Sequence, residues 1–268
     1  MATVVPAVSG FYIAGATEPT SLILLALNVF VLHASANALN DIADYRSDSI
    51  NSPDRLLVMD VLSTRQVGVL SIGLMMVGLL FALMLDWLLF AVVATLGLIL
   101  WVAYNFGARL KDRPIGSAIY LSMSTSTIPF IGGFIVMRNL NIVSVMLAFF
   151  LVIFTSPIII DSLKDIRGDS LTNKRTVAVA LGGEKTRRLV LAVLLIPILA
   201  YPLFWLIFGF AQIYLLYAVA PASLRLLIGY VLLSRRDLTT PRILTRLLIV
   251  VDFTVLALAR PEFGFPWL

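Results

Sequence analysis

Asn40, Asp41, Asp44 and Asp48 crowd into the stretch Asn40-Asp41-Ile42-Ala43-Asp44-Tyr45-Arg46-Ser47-Asp48, directly after a long apolar run. A second set follows much later, Asp161, Asp165 and Asp169, each four residues from the next. A helix advances about 3.6 residues per turn, so carboxylates four apart stack as neighbours on one face. Like charges so placed repel, and a cation must offset them. A divalent cation is the simplest candidate. Magnesium takes oxygen ligands, keeps several waters and typically binds through one or two carboxylates plus substrate phosphates. Asn40, Asp44 and Asp48 on one side, with Asp161, Asp165 and Asp169 on the other, therefore suit a diphosphate held through Mg2+. Asn40 adds a neutral oxygen. One Asp-x-x-x-Asp alone reads equally well as solvated loop charge; two sets, each at the end of an apolar run, favour the site.

Basic residues interleave with both sets. Arg55 follows the first, Arg109 and Lys111 lie between, and Lys174 and Arg175 follow the second. Such cations can bond the outer oxygens of a diphosphate and stabilise it as a leaving group. Topology competes as an explanation, because loops on one side of a membrane are basic anyway.

The elements that must position these residues are apolar. Of 268 residues 60% are hydrophobic and only 13% charged, against roughly half and a quarter in a soluble domain. Helices apolar all round mark an all-α polytopic membrane protein. Runs long enough to span, or nearly so, fall at 2–15, 20–40, 66–85, 86–104, 118–137, 141–161, 187–208, 213–233 and 243–259. That predicts about nine transmembrane helices, bundled around a central cavity. Strand alternation, which a β-barrel would need, is missing. The chain reads as one domain, 1–268. The two acidic loops each follow an even-numbered span, which suggests pseudo-repeat halves at 1–137 and 138–268 with a site between them.

Net charge is +5. Seventeen of the 20 basic residues sit in the gaps 41–65, 105–117, 162–186 and 234–242 or in the helix starts that follow. The positive-inside rule puts these loops in the cytoplasm, the amino terminus inside and the carboxyl terminus outside. Both acidic sets then face the cytoplasm from a multi-pass protein of the cell membrane. This distribution explains the basicity without nucleic acid. There are no cysteines and hence no disulfides. The amino terminus has no basic n-region and no clear cleavage site, so no signal peptide is expected.

The combination resembles the UbiA superfamily of intramembrane prenyltransferases, whose members carry NDxxDxxxD after the second span and DxxxD after the sixth. Asn40-Asp41-x-x-Asp44-x-x-x-Asp48, followed by Ile50-Asn51-Ser52-Pro53-Asp54-Arg55, is close to the first motif. Asp161-x-x-x-Asp165-x-x-Gly168-Asp169, followed by Lys174-Arg175-Thr176 and Gly182, is close to the second. The family's YxxxxK is matched by Tyr104 to Arg109, with arginine for lysine. Arg55-Leu56 stands where the family commonly has Arg-Pro, and no basic residue precedes the first span.

The resemblance implies transfer of a polyprenyl group from an isoprenoid diphosphate to an acceptor. Mg2+ would be the cofactor, and Asp44, Asp48, Asp161 and Asp165 the catalytic carboxylates. Asn40 and Asp169 would complete the metal set, with Arg55, Arg109, Lys111 and Lys174 on the diphosphate. The isoprenoid tail would lie in an apolar chamber open to membrane lipid. Tyr104, and less strongly Phe106, could stabilise an allylic cation through the ring face. An aromatic acid such as 4-hydroxybenzoate is the expected acceptor; a glycerol-phosphate ether lipid, as in digeranylgeranylglyceryl phosphate synthases, is the alternative.

Other polar residues fall inside spans. The hydroxyl-rich run 122–127, with Ser124 and Ser126, could line the acceptor pocket, although small residues at helix contacts are commoner. His33 and Asn37 lie one turn apart below the first motif, and a bond to a neighbouring helix is the plainer role for such a histidine. Gly132-Gly133 reads as close packing, and Arg225 and Asp252 as partners of each other. A secondary transporter is the rival from another class, but carboxylates gathered at span ends suit phosphate chemistry better than alternating access. An alcohol phosphotransferase would require a DG…AR…G…D…D pattern that the chain lacks.

Overall fold

The computed structural model describes residues 3–15, 18–234 and 238–259, and among these all regular structure is helical. In lipid every backbone polar group must be satisfied within its own segment, and Leu-, Val- and Ile-rich runs of this length achieve that as helices. In chain order the main helices are α1 (Val4–Ile13), α2 (Pro19–Asn51), α3 (Thr64–Leu85), α4 (Trp87–Asn105) and α5 (114–136). They continue with α6 (Ile142–Thr155), the short α7 (Ile166–Leu171), α8 (Gly183–Phe208), α9 (Ile213–Ser234) and α10 (Thr239–Leu258).

Each of the nine apolar runs has a helix here. Six of the helices are long and apolar enough to cross a membrane: α2, α3, α4, the 119–136 part of α5, α8 and α9. Helices α1 and α6 are apolar but shorter, and α10 carries Arg242, Arg246 and Asp252 along its 20 residues. The chief difference from the sequence reading is α2. It runs to Asn51 rather than ending near residue 40, so the whole first acidic motif is helical.

The chain forms two compact units. One comprises Pro19–Leu121 and Asp161–Thr186; the other comprises Met1–Glu18, Ser122–Ile160 and Arg187–Leu268. Both acidic motifs belong to the first, called the motif unit below.

In the motif unit α3 packs along α2 through small and polar residues. Ser35 Oγ donates to the Ser71 carbonyl at 2.7 Å and Ser71 Oγ donates to the Ser35 carbonyl at 2.8 Å. Asn28 Nδ2 donates to the carbonyl of Gly78 at 2.6 Å. Gly78 is needed there, because a Cβ would stand 2.5–2.6 Å from Leu32 side-chain atoms. A capping box of Ser63 and Gln66 starts α3. Asp86 caps α4, which widens to a π-type turn at Val93–Gly97.

In the other unit α1 lies against α5 with Gly10 and Gly133 at the contact. A Cβ on Gly10 would strike the Phe130 carbonyl, and one on Gly133 would come within 2.8 Å of the Ala7 carbonyl. Phe130, Phe134, Phe154, Phe204, Phe208 and Phe253 fill the core. Arg225 and Asp252 pair as expected, at 2.5 Å and fully buried. Tyr201 completes the network. Its hydroxyl donates to Asp252 Oδ1 at 2.6 Å and accepts from Arg225 Nε at 3.0 Å, while the guanidinium lies 5.3 Å from the Phe154 ring centre. His33 is half-buried on α2 and Asn37 is exposed.

Candidate diphosphate and metal site

Asp44 is the hub of the motif unit. Its Oδ1 receives Lys111 Nζ at 2.8 Å and also pairs with Lys174 Nζ. Its Oδ2 accepts from Asn40 Nδ2 at 2.8 Å, one helical turn away on α2. Lys111 reaches Asn40 Oδ1 at 3.4 Å and Asn105 Oδ1, at the end of α4, at 3.3 Å. Lys174 donates to Ser47 Oγ at 2.7 Å and lies 3.7 Å from Asp169 Oδ1. Thr176 Oγ1 donates to Asp169 Oδ2 at 3.2 Å. On the neighbouring side, Arg55 Nη1 contacts Asp41 Oδ1 and lies 3.0 Å from Asp48 Oδ2. The α2 helix thus presents its carboxylates to basic residues from three separate segments.

Burial raises the stakes of this pairing. Lys111 and Lys174 expose only 5% and 8% of their surface, and a buried ammonium is tolerated only when paired. Burial pulls the Lys111 ammonium below its ordinary range, with Asp44 opposing that shift. Asp169 is pushed up to about 6, again by burial first, with Lys174 pulling the other way. Each group would change protonation easily if its partner were withdrawn.

The residues suit a hard divalent cation. Asn40, Asp41, Asp44, Asp48 and Asp169 offer oxygen donors only. Asp48 Oδ2 is enclosed and accepts no hydrogen bond, although Arg55 is near. Among the described residues, no three His, Asp or Glu side chains already converge on a single point.

The second acidic set departs from the expectation of one continuous helical face. Asp161 opens a single turn, Asp161–Lys164, and Asp165 interrupts the helix with φ −97° and ψ 4° before α7 begins. A side chain from the first motif bonds the turn at this point. Asn51 Nδ2 donates to the Asp165 carbonyl at 3.0 Å, and Asn51 Oδ1 accepts from the Gly168 N–H at 2.8 Å. Asp169, on α7, is buried and brings its carboxylate to Lys174; Asp161 and Asp165 are half-buried.

The basic residues sort differently from their order in the sequence. Arg109, which aligns with the lysine of YxxxxK, has left-handed backbone (φ 46°) and pairs with Asp112 at 2.6 Å, its side chain half exposed. Lys111, two residues on, takes the place beside Asp44. Tyr104 stacks on Tyr120, ring centres 3.8 Å apart and 16° from parallel. Ser124 and Ser126 lie in a π-type turn, Met123–Thr127, of the other unit, where Ser126 is fully buried against Thr125 Oγ1. Sequence reasoning gave no role to Asp41, Ser47, Asn51, Asn105, Thr176 or Tyr120. Asp41, Ser47, Asn51, Asn105 and Thr176 sat in or beside quoted motifs and could have been suspected; Tyr120 carried no local signal.

The model of the UbiA prenyltransferase family matches residues 3–250. A digeranylgeranylglyceryl phosphate synthase of Natronomonas pharaonis is 28% identical over 213 residues, covering 79% of this chain and 76% of the relative. The protein of the same name from Saccharolobus solfataricus is 30% identical over 220 residues, covering 78% and 74%. The structure of a UbiA homolog from Archaeoglobus fulgidus bound to GPP and Mg2+ superposes with a TM-score of 0.71 at 20% identity, over 95% of both chains. With six helices able to cross a membrane, an acid cluster on α2 and a family match over nearly its whole length, this integral membrane protein belongs to the UbiA prenyltransferase family.

Proposed function

We propose that this prenyltransferase joins a geranylgeranyl group, carried as its diphosphate, to the free hydroxyl of a geranylgeranylglyceryl phosphate, with Mg2+ as cofactor. The single observation that carries the diphosphate half of this reading is Asp44 clustered with Lys111, Lys174 and Asp169. The acceptor half is supported by the curated relatives, two of which, from different organisms, bear the name of a digeranylgeranylglyceryl phosphate synthase. These names support the glycerol-phosphate lipid over 4-hydroxybenzoate as the acceptor.

The chemistry follows from the charges. The C1–O bond of the allylic diphosphate breaks and its electron pair leaves with pyrophosphate. The acceptor hydroxyl oxygen forms the new C–O bond to C1 and loses its proton to the medium. Mg2+, when bound, supplies Lewis-acid stabilisation of the departing phosphate oxygens. Lys111 and Lys174 are preorganised cations in a water-poor site, where such groups act most strongly on developing negative charge. Asn40 and Ser47 fix their orientation. The Tyr104–Tyr120 stack offers ring faces of the kind that attract a carbocation.

The test is a transfer assay on purified protein with geranylgeranyl diphosphate, offering geranylgeranylglyceryl phosphate and 4-hydroxybenzoate side by side. The expected result is Mg2+-dependent release of pyrophosphate with the glycerol lipid alone, abolished by EDTA and reduced by about 10²–10³-fold in Asp44→Asn. Prenylated 4-hydroxybenzoate as the main product would overturn the acceptor assignment. Full turnover in Asp44→Asn would overturn the site.

A further inference from the structure

We propose that Asn51 is a positioning residue that sets the second acidic motif in register with the first. It acts through the backbone rather than by touching substrate. This inference rests on the metal and diphosphate reading above and deepens it. Asn51 is the last residue of α2, three positions beyond Asp48. Its amide bonds the start of α7 at two points, donating to the carbonyl of Asp165, the N-cap residue, and accepting from the Gly168 N–H. One planar side chain therefore satisfies the Gly168 N–H, one of the donors that a helix start leaves unpaired, and adds a second donor to the Asp165 carbonyl, which also accepts from the Asp169 N–H at 2.9 Å. That turn carries Asp165 at its start and Asp169 just after it.

Two neighbouring facts reinforce the latch. Gly168 leaves room for it, since a Cβ there would stand 2.5 Å from Asn51 Cγ and 2.6 Å from Oδ1. The adjacent Ser52 accepts from Lys164 Nζ at 3.0 Å, so consecutive residues of the first motif grip consecutive parts of the second. The geometry explains why Asp169 meets Lys174 while Asp44 meets it from α2. Without the latch α2 and the Asp165 turn lose a shared reference, and the carboxylates drift relative to one another. Groups that orient metal ligands from behind commonly govern affinity 10–100-fold.

Detergent-solubilised full-length protein with a geranylgeranyl thiodiphosphate analogue, titrated with Mn2+ and read by electron paramagnetic resonance, tests this independently of turnover. Asn51→Ala and Gly168→Ala are each expected to weaken Mn2+ binding about tenfold, with kcat recovering at saturating Mg2+. The combined variant is expected to match Asn51→Ala alone, because the new methyl then has no amide to displace. Gly168→Ala leaves Asn51 in place, so it keeps the question open to test should Asn51→Ala fail to fold. Unchanged Mn2+ affinity in Asn51→Ala, or in Gly168→Ala should Asn51→Ala not fold, or a hundredfold loss in the combined variant, overturns the role of Asn51. Wild-type protein that binds no Mn2+ with the analogue overturns the metal reading itself, and this inference with it.

Discussion

At the scale of single residues, function turns on which cations stand next to Asp44. The motif match points to Arg109, yet that side chain is half exposed and engaged with Asp112, whereas Lys111 is buried against Asp44. Exposed ion pairs contribute about 0–1 kcal/mol, while removing one member of a buried pair costs about 3–5 kcal/mol. Arg109→Ala is therefore expected to leave the KM for the prenyl diphosphate within about threefold of wild type. Lys111→Ala should raise it at least tenfold and lower the melting temperature. Steady-state kinetics on both variants checks the contrast. Asp169 adds a pH dependence. Its carboxyl is raised to about 6, burial being the larger cause, so the neutral form predominates only below that pH. A raised carboxyl contributes stability below its unfolded value, near 4, and that contribution is lost as pH rises through 6. Metal must displace this proton, so Mg2+ affinity should fall progressively below pH 6 and level off above it. Calorimetric titration at pH 5, 6 and 7 measures the trend. A flat profile would remove Asp169 from the metal set.

At the scale of elements, the α2–α3 and α1–α5 contacts use small residues and matched polar groups, while phenylalanines fill the core of the other unit. Burying apolar surface against a neighbour gains little where lipid is equally apolar. Close backbone approach and reciprocal hydrogen bonds take over, as at Ser35–Ser71 and Asn28–Gly78. The contact of α1 with α5 is the least forgiving. A methyl on Gly10 meets backbone, which cannot rotate aside as a side chain could. Gly10→Ala is expected to separate α1 from α5 and destabilise the protein by about 1–3 kcal/mol, the usual range for overpacking. Thermal unfolding in detergent reads this out; a melting temperature equal to wild type would contradict the contact. The network of Arg225, Asp252 and Tyr201 shows the same economy. Full-length ionisable groups survive inside spans because they neutralise one another.

At the scale of the whole molecule, the charge distribution sets orientation. We propose that the loops bearing both acidic motifs face the cytoplasm, supported by the positive-inside count. The absence of native cysteine makes this simple to test, since one introduced thiol is the sole target. In inside-out vesicles Asp54→Cys and Ser170→Cys, both at exposed positions, should react with a membrane-impermeant maleimide. Asn141→Cys, also exposed, should react only when the vesicles are opened. The reverse pattern would invert the topology.

Membership of the helical membrane class, the approximate spans and the two acid-rich motifs were all legible in the sequence. Hydropathy and residue spacing are local properties that survive without knowledge of neighbours. The apolar span ends at residue 40 with the carboxylates on a helical face beyond it, and hydropathy alone could not show that one unbroken helix, α2, runs on to Asn51. Tertiary structure alone decided that Lys174 meets Asp44 across 130 residues and that Asn51 bonds the Asp165 turn across 114. Contacts that distant leave no periodic trace along the chain. They are chosen by which backbone groups and charges remain unsatisfied once the helices have packed.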